Sequence, residues 1–347
     1  MKPRPMKATI KDVAKLAGVS FKTVSRVINR EPSVGEELQA KVWKAIEELN
    51  YQPNLSARQL RGTPSFIAFI YDNPNSHYVV EMQHGILEEC KRQGFELLIH
   101  PVSSAEEDHI DEVKKLLSNG HIAGLVLTPP FSESAELIDV LNSRDMAHVR
   151  ILSSDSSSEY EGPCVLIDDY NAAFDITRYL VGLGHRDIAF LGGHQERDSS
   201  SEQRLGGYLA ALEEAGLSRQ DELILSGEYS FDSGSERTTK LLGLDASPTA
   251  IFACNDEIAA GALFAARIQQ VAVPQQLSII GFEDSPFSRQ SWPKLTTAHQ
   301  PNSEIAAGAA RILTENIRSS RQGKQSEKPA VLEFKPELVV RDSTCPA

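Results

Sequence analysis

Short apolar runs alternate with helical patterns over most of the chain, from residue 66 to residue 340. Residues 66–71 form one such run, whereas residues 79–92 repeat apolar side chains with the period of a helix. Strands that alternate with helices pair in parallel and are covered on both faces of their sheet. Further strands are predicted at 95–100, 122–127, 149–152, 165–167, 188–191, 223–225, 250–253, 277–281, 331–334 and 338–340. Further helices are predicted at 110–117, 135–142, 171–183, 204–215, 235–242, 258–269 and 303–317.

A loose polar stretch at residues 153–162 divides this alternation into two successive halves. Each half has enough strands for its own parallel sheet, so the pattern predicts two doubly wound subdomains. In open α/β sheets, ligands bind beyond the carboxyl ends of the strands. We therefore expect a ligand cleft where the strand ends of the two subdomains face each other.

Residues 9–29 are typical of two short helices joined by a tight turn. Apolar residues recur from Ile10 at the spacing of one buried helical face. Thr9 and Asp12 can form a capping box, Gly18 suits a left-handed helix end, and Ser20 can cap the second helix. The second helix buries Val24, Val27 and Ile28 and turns Phe21, Lys22, Ser25, Arg26 and Asn29 outward. That face suits phosphates and base edges, although a solvated helical hairpin would show the same pattern.

Charge separates the first 64 residues from the rest of the chain. They hold 12 basic and 6 acidic residues, a net charge of +6, whereas the remainder holds 23 basic and 42 acidic residues, a net charge of −19. Because nucleic acid is negatively charged, we expect the basic module, and not the acidic body, to make any contact with it. A third helix is predicted after a second capping box at Ser33, with Leu38, Val42, Ala45, Ile46 and Leu49 on its buried stripe. Residues 54–62 are compatible, on composition, with a flexible linker.

The chain has neither a long apolar run nor an apolar leader at its amino terminus, so we expect no membrane contact and a cytoplasmic location. The four cysteines lack metal or redox spacing, which favours reduced thiols and predicts no metal. No P-loop, nucleophile elbow, HExxH or CxxC motif occurs, so we expect that the protein is not an enzyme. No cofactor is expected either.

The run TIKDVAKLAGVSFKTVSRVIN, followed by ELNYQPNLSARQLRG, resembles the DNA-binding head and hinge helix of the LacI/GalR family of bacterial transcription regulators. The resemblance implies a helix-turn-helix domain at 1–53, a hinge helix at 54–63, and a homodimer on pseudo-palindromic double-stranded operator DNA. Leu60 matches the leucine that wedges into the minor groove. Phe21 and Lys22 occupy positions that vary among members and would set operator preference. The implied DNA-binding set is Thr9, Ser20, Phe21, Lys22, Thr23, Ser25, Arg26, Asn29, Asn54, Ala57, Leu60 and Arg61.

The body carries further landmarks of the same family, among them LGHRDIAFLGG, AIFACNDEIAAGAL and LSIIGFEDSP. They imply a periplasmic-binding-protein-like (type I) body at 64–347 for effector binding and dimerisation. The chain of that fold crosses between subdomains three times, here expected near 163–168, 293–301 and 328–331. The amino-terminal subdomain would comprise 64–165 and 300–329, and the carboxyl-terminal subdomain 166–299 and 330–342. No leucine-heptad tail follows, which favours a dimer over a tetramer.

Polar and aromatic residues gather at the predicted strand ends, where the resemblance places the effector. Carboxylates, an arginine and an asparagine can hold several hydroxyls, and an aromatic ring can pack on the C–H face of a sugar. Glu283 stands where the family usually has Asp. The predicted effector-binding set is Asp72, Tyr78, Arg204, Tyr229, Asn255, Asp256, Glu283, Asp284 and Gln300.

These features together predict a repressor of carbohydrate-utilisation genes that is controlled by a sugar effector. Some members of the family answer to a purine or a phosphocarrier protein, and either alternative stays open here. A secreted sugar-binding protein would share the body but lack the basic head. A glycoside-processing enzyme would also need paired carboxylates, which are easily found among 48 acidic residues.

Overall fold

The computed structural model describes residues 8–28, 34–49, 51, 65–73, 75–118, 120–154, 162–193, 199–323 and 330–347. The amino-terminal module contains α1 (Ile10–Ala17), α2 (Phe21–Ile28) and α3 (Glu36–Glu48). Val13, Val24 and Val42 are fully buried where the three helices meet. Helix α3 begins at Glu36, and its N-cap residue Gly35 provides no side-chain cap. Ser33, on which the predicted capping box depends, lies outside the described residues. Leu38 is more exposed than predicted, at 41%.

The rest of the described chain forms the alternating elements that the sequence predicts. The first half comprises β1 (Phe66–Tyr71), α4 (Ser76–Gln93), β2 (Glu96–Pro101), α5 (His109–Ser118), β3 (Ile122–Leu127), α6 (Ala135–Ser143), β4 (His148–Ser154) and β5 (Cys164–Asp168). The second half comprises α7 (Asp169–Gly182), β6 (Ile188–Gly192), α8 (Ser199–Glu214), β7 (Ile224–Ser226), α9 (Phe231–Leu242), β8 (Ala250–Ala253), α10 (Asp256–Ile268), β9 (Ser278–Glu283), α11 (Pro286–Gln290) and β10 (Thr296–His299). The chain ends with α12 (Asn302–Arg321), β11 (Val331–Phe334) and β12 (Glu337–Val339).

The strands form two six-stranded sheets, in the orders β11-β5-β4-β3-β1-β2 and β12-β10-β9-β8-β6-β7. All described pairings are parallel except that of β12 with β10. Buried apolar residues cover both faces of the first sheet, and a separate cluster surrounds the second. The fold class is therefore confirmed as two doubly wound α/β subdomains behind a helical module. No helix among the described residues is long and apolar enough to span a membrane.

The three crossings between the sheets differ in part from the predicted positions. The first lies between β5 and α7, so the predicted boundary at residue 165 falls inside a strand. The second lies between β10 and α12, which packs on α4 of the first subdomain. The third lies between β11 and β12, because Val331 pairs with Cys164 and Phe334 with Ile167. Assigning all of 330–342 to the second subdomain was wrong for 331–334.

Two helices of the second subdomain begin earlier than their apolar periodicity suggests. Helix α8 begins at Ser199 and not at Arg204, and α9 begins at Phe231 and not at 235. Serine, acidic and glycine residues fill these first turns, so the hydrophobic pattern starts late. Ser230 caps α9 by accepting a hydrogen bond from the Ser233 amide. Arg204 therefore lies in the second turn of a helix that is already formed.

Candidate functional site

The helix-turn-helix is held by side-chain caps at both helix starts. Thr9 donates its amide and hydroxyl to Asp12 Oδ2 at 2.8 and 2.6 Å, and its hydroxyl accepts from the Asp12 amide. Gly18 adopts the left-handed conformation with φ 67°, which ends α1 at low steric cost. The Ser20 hydroxyl then accepts from the Thr23 amide at 3.1 Å and starts α2. These local bonds fix the angle at which α2 leaves the turn.

Helix α2 presents its predicted polar face to solvent. Val24 and Val27 are buried, whereas Lys22 and Arg26 are exposed and Phe21 is 56% exposed. Of the other predicted contacts on this helix, Thr23 and Ser25 are half-buried. A cationic pair beside an exposed ring suits a DNA groove, where phosphates position a helix and base edges specify the sequence. Asn29, Asn54, Ala57, Leu60 and Arg61 lie outside the described residues, so their roles stay predictions.

A cavity of about 620 Å³ lies between the two sheets, at the carboxyl ends of their strands. Seven of the nine predicted effector residues line it: Asp72, Tyr78, Arg204, Tyr229, Asn255, Glu283 and Gln300. Loops from both subdomains contribute, since Asp72 follows β1 while Asn255 follows β8. The volume falls in the range of small-molecule pockets.

Arg204 lines this cavity and is 4% exposed. Its Nε donates to Asp169 Oδ1 at 2.7 Å, and its Nη1 donates to the Cys254 carbonyl at 2.6 Å. The guanidinium also stacks 3.7 Å above the Phe282 ring. Burial lowers the pKa of Arg204, but Asp169, together with Tyr229, Cys254 and Glu283, outweighs burial, so the net pKa is raised. Arg204 is therefore a fixed cation that touches both the second sheet and the crossing segment.

Asn255 caps α10 and offers an amide to the cavity. Its Oδ1 accepts from the Ile258 amide at 2.8 Å, which fixes the side-chain orientation. Its Nδ2 is buried and finds no hydrogen-bond partner within the described parts of the chain. A buried donor without a partner is costly, so a ligand acceptor here would be well bound.

Glu283 reaches across the cleft to the first subdomain. Its Oε2 accepts a hydrogen bond from Asn75 Nδ2 at 2.8 Å, although the two residues are 208 positions apart. Burial raises the pKa of Glu283 to about 8, with Arg204 opposing that change. The residue has φ 97°, a conformation that is strained for any side chain other than glycine. Strain of this kind is concentrated at ligand sites.

Tyrosine rings form part of the apolar lining. Tyr229 packs on Gly193, where an added Cβ would lie 2.3 Å from the ring. On the other side, Tyr71 stacks on Phe69 with ring centroids 4.8 Å apart. Tyr78 is 7% exposed and belongs to the core of the first subdomain. The rings are thus held in place by the fold before any ligand binds.

The structure places the two remaining predicted residues, Asp256 and Asp284, outside the lining. Asp256 is fully buried and accepts from the Thr297 hydroxyl and the Ser285 amide, each at 2.6 Å. It occupies the space that Gly281 leaves, since an added Cβ there would lie 2.2 Å from Asp256 Oδ1. Burial raises the Asp256 pKa to about 7.

Asp284 turns away from the cavity toward the carboxyl terminus of the chain. It accepts from the Ser288 hydroxyl at 2.6 Å and from Arg341 Nη2 at 2.7 Å. Burial opposes ionisation, but the bonds to Ser288 and Arg341 hold the pKa below its usual value. We therefore leave Asp256 and Asp284 out of the proposed effector contacts.

Three polar residues of the site were missed by the sequence reasoning. Asp169 pairs with Arg204 and accepts from the Ser153 hydroxyl at 2.5 Å, and Asn75 holds Glu283. Asp169 directly follows β5, and Asn75 directly precedes α4, both at the edge of the sheet that borders the cavity. The strand-end rule that selected Asp72 would have selected Asp169 too. Ser153 lies in a strand and gave no such indication.

Comparison with known proteins supports the division of the chain. Residues 9–54 match the model of bacterial regulatory proteins of the lacI family, and residues 177–344 match a periplasmic binding protein-like domain. The chain is 34% identical over 338 residues to the HTH-type transcriptional repressor PurR of Pasteurella multocida (strain Pm70), covering 97% of this chain and 98% of that one. It is 35% identical over 346 residues to the HTH-type transcriptional regulator DegA of Bacillus subtilis (strain 168), covering 98% and 99%.

Solved structures share the fold over nearly the whole length. The lac repressor dimer bound to operator and the anti-inducer ONPF superimposes with a TM-score of 0.73 at 26% identity, covering 98% of this chain and 100% of that one. The transcriptional regulator CelR in complex with cellobiose gives 0.72 at 26% identity, covering 97% and 99%. With its helix-turn-helix, its paired α/β subdomains and these relatives, the chain belongs to the lacI family of bacterial regulatory proteins, which are DNA-binding regulators of transcription.

Proposed function

We propose that this protein is a transcriptional repressor that binds pseudo-palindromic operator DNA as a homodimer and responds to a sugar in the cavity. The observation that carries the proposal is the cavity itself, which is lined by Arg204, by tyrosines of both subdomains and by Asn255, whose Nδ2 has no hydrogen-bond partner among the described residues. Curated relatives named repressors and a solved lac repressor dimer on operator support the repressor and the homodimer.

A sugar fits the chemistry of this lining. Each hydroxyl both donates and accepts, so it can bridge the Asn255 amide and a carboxylate such as Glu283. Tyr229 and Tyr71 offer ring faces to the apolar surface of a pyranose. The structural relative in complex with cellobiose supports the same ligand class.

Coupling to DNA would run through the contacts that join the subdomains across the cleft. Asn75 of the first subdomain bonds Glu283 of the second, and Ser199 of the second bonds Glu133 of the first. A ligand that replaces one of these partners changes the angle between the subdomains. It controls operator affinity only if it binds the two arrangements with unequal affinity. The predicted hinge segment 54–63 would carry that change to the DNA.

The test begins with selection of a DNA sequence from a random library by the full-length protein. Binding to that duplex is then followed by fluorescence anisotropy with and without mono- and disaccharides. We expect a palindromic site and a sugar that weakens binding by about 5- to 150-fold, the usual range of allosteric coupling. If no defined sequence is selected, the proposal that the protein is an operator-binding repressor is refuted. If a sugar binds without altering operator affinity, the proposal that the sugar regulates DNA binding is refuted.

A purine that acts as a corepressor is the second candidate. The 34% identity to a repressor PurR along 97% of this chain favours it, and the Tyr229 and Tyr71 rings would also stack on a base. The two candidates have opposite effects on operator affinity, because a corepressor tightens operator binding whereas an inducer weakens it. Catalysis is tested in the same samples, since an enzyme would convert any ligand that binds, whereas a regulator would return it unchanged.

A further inference from the structure

The acidic side chains of the cavity outnumber the basic ones. Among the described residues that line it, Asp72, Asp169, Glu228 and Glu283 are acidic and Arg204 is the single basic residue. Even with Glu283 protonated, three acidic groups face one guanidinium. A cleft whose walls have a low dielectric constant concentrates the negative potential of these groups and repels anionic ligands.

The charge of Arg204 is already neutralised within the protein. Asp169 holds its Nε at 2.7 Å, with both side chains 5% exposed or less. Nη1 is engaged by the Cys254 carbonyl, Nη2 faces Gln300 Oε1 at 3.5 Å, and the ring of Phe282 covers one face. Anion recognition by arginine relies on two parallel N–H donors from an open guanidinium. A phosphate that approaches Arg204 would therefore meet a guanidinium whose charge Asp169 already neutralises.

Helix N-termini also attract anions, but three of the helices that begin beside the cavity carry their own caps. Asn75 Oδ1 accepts from the first amides of α4, Asp168 Oδ1 from the Asn171 amide of α7, and Asn255 Oδ1 from the Ile258 amide of α10. These backbone donors are therefore not offered to a ligand. Among the described lining residues, the donors that remain are neutral, such as Asn255 Nδ2 and the Ser103 hydroxyl, and they stand beside carboxyl acceptors and tyrosine rings.

We propose that the effector of this protein is uncharged, so that a neutral sugar or base binds the cavity and its phosphorylated derivative is excluded. The inference rests on the proposed effector function of the cleft and narrows its ligand class. Among the described residues of the lining, the single cation is already paired with Asp169, so they offer a phosphate no free counter-charge, and proteins avoid burying an anion without one. Hydroxyl or ring N–H groups, in contrast, can donate hydrogen bonds to the carboxyl oxygens of the lining.

Isothermal titration calorimetry on the full-length protein with matched ligand pairs tests this proposal. The pairs are glucose with glucose 6-phosphate, ribose with ribose 5-phosphate, cellobiose with its phosphorylated form, and guanosine with guanosine monophosphate. We expect that the member of a pair that binds is the neutral one and that its phosphorylated partner has a Kd at least about 100-fold higher. Tighter binding of a phosphorylated member would overturn the inference.

Charge variants separate repulsion from simple lack of space. Glu228→Gln removes one charge from the lining at almost constant volume, and we expect it to reduce the neutral-to-phosphate ratio by at least about 3-fold. Glu236→Gln is the matched control, since Glu236 is exposed on α9 and outside the lining. An equal effect of both variants would show that shape and not charge excludes the phosphate, and would also overturn the inference.

Failure of the charge inference can be distinguished from failure of the proposed effector function. A phosphorylated ligand that binds the cavity and changes operator affinity would reject the charge inference and leave the effector function standing. A neutral ligand that binds with the expected preference and leaves operator affinity unchanged would do the reverse. Absence of binding by every member of the panel would reject the sugar and purine effectors and the charge inference together.

Discussion

The buried pair of Arg204 and Asp169 provides a sharp test of how this site is built. Arg204→Met keeps most of the side-chain volume but leaves the Asp169 carboxylate, which is 1% exposed, without its counter-charge. Breaking such a pair by removing one partner costs about 3 to 5 kcal/mol of unfolding free energy. Loss of the stacking on Phe282, at 3.7 Å, adds to that cost. We therefore expect a large decrease in the stability of the ligand-free protein.

Urea unfolding followed by circular dichroism measures the effect, and two further variants interpret it. The double variant Arg204→Met with Asp169→Asn should be more stable than Arg204→Met alone, because no buried carboxylate is left unpaired. Arg219→Met is the control, since Arg219 bonds Asp221 at 2.6 Å with side chains 57% and 79% exposed. Surface pairs of this kind contribute about 0 to 1 kcal/mol. A loss below about 1 kcal/mol for Arg204→Met, or a double variant no more stable than Arg204→Met, would refute this reasoning.

Three further predictions concern DNA preference, the cross-cleft bond and pH. Lys22→Ala should change base preference at one half-site position more than general affinity, whereas Lys44→Ala, on the exposed face of α3, should leave both unchanged in a binding-site selection. Asn75→Ala should loosen the contact with Glu283 and raise the radius of gyration of the ligand-free protein in small-angle scattering; an unchanged radius would mean that this bond does not hold the cleft closed. The pKa of Glu283 is raised to about 8 in the folded state, so the folded state binds the Glu283 proton more tightly than the unfolded state does. The contribution of this proton to stability is therefore complete below the unfolded pKa and is lost as pH rises through 8. Glu283→Gln should therefore flatten the fall of the melting temperature between pH 5 and pH 8, and a profile as steep as that of the unchanged protein would argue against it.

Local features of the chain were predictable because their causes are local. The capping box of Thr9 with Asp12, the left-handed Gly18 and the inward turn of Val24 and Val27 depend on residues within a few positions of one another. The alternation of strands and helices likewise follows from apolar periodicity. Parallel strands place their carboxyl ends at one edge, so seven of nine residues selected there line one cavity.

Tertiary structure decided what depends on distant partners. Residues 331–334 could have joined either sheet, and only the pairing of Val331 with Cys164 assigns them to the first. Asp256 turns inward because Gly281 leaves room for its carboxylate, whereas Asn255 beside it faces the cavity. The sequence alone determined that this chain carries a helix-turn-helix and two α/β subdomains, because caps and periodicity act over a few residues. The packing of the two sheets decided which side chains at the strand ends meet at Arg204. A shift of one position along a strand reverses the direction of a side chain, so local patterns alone do not settle this.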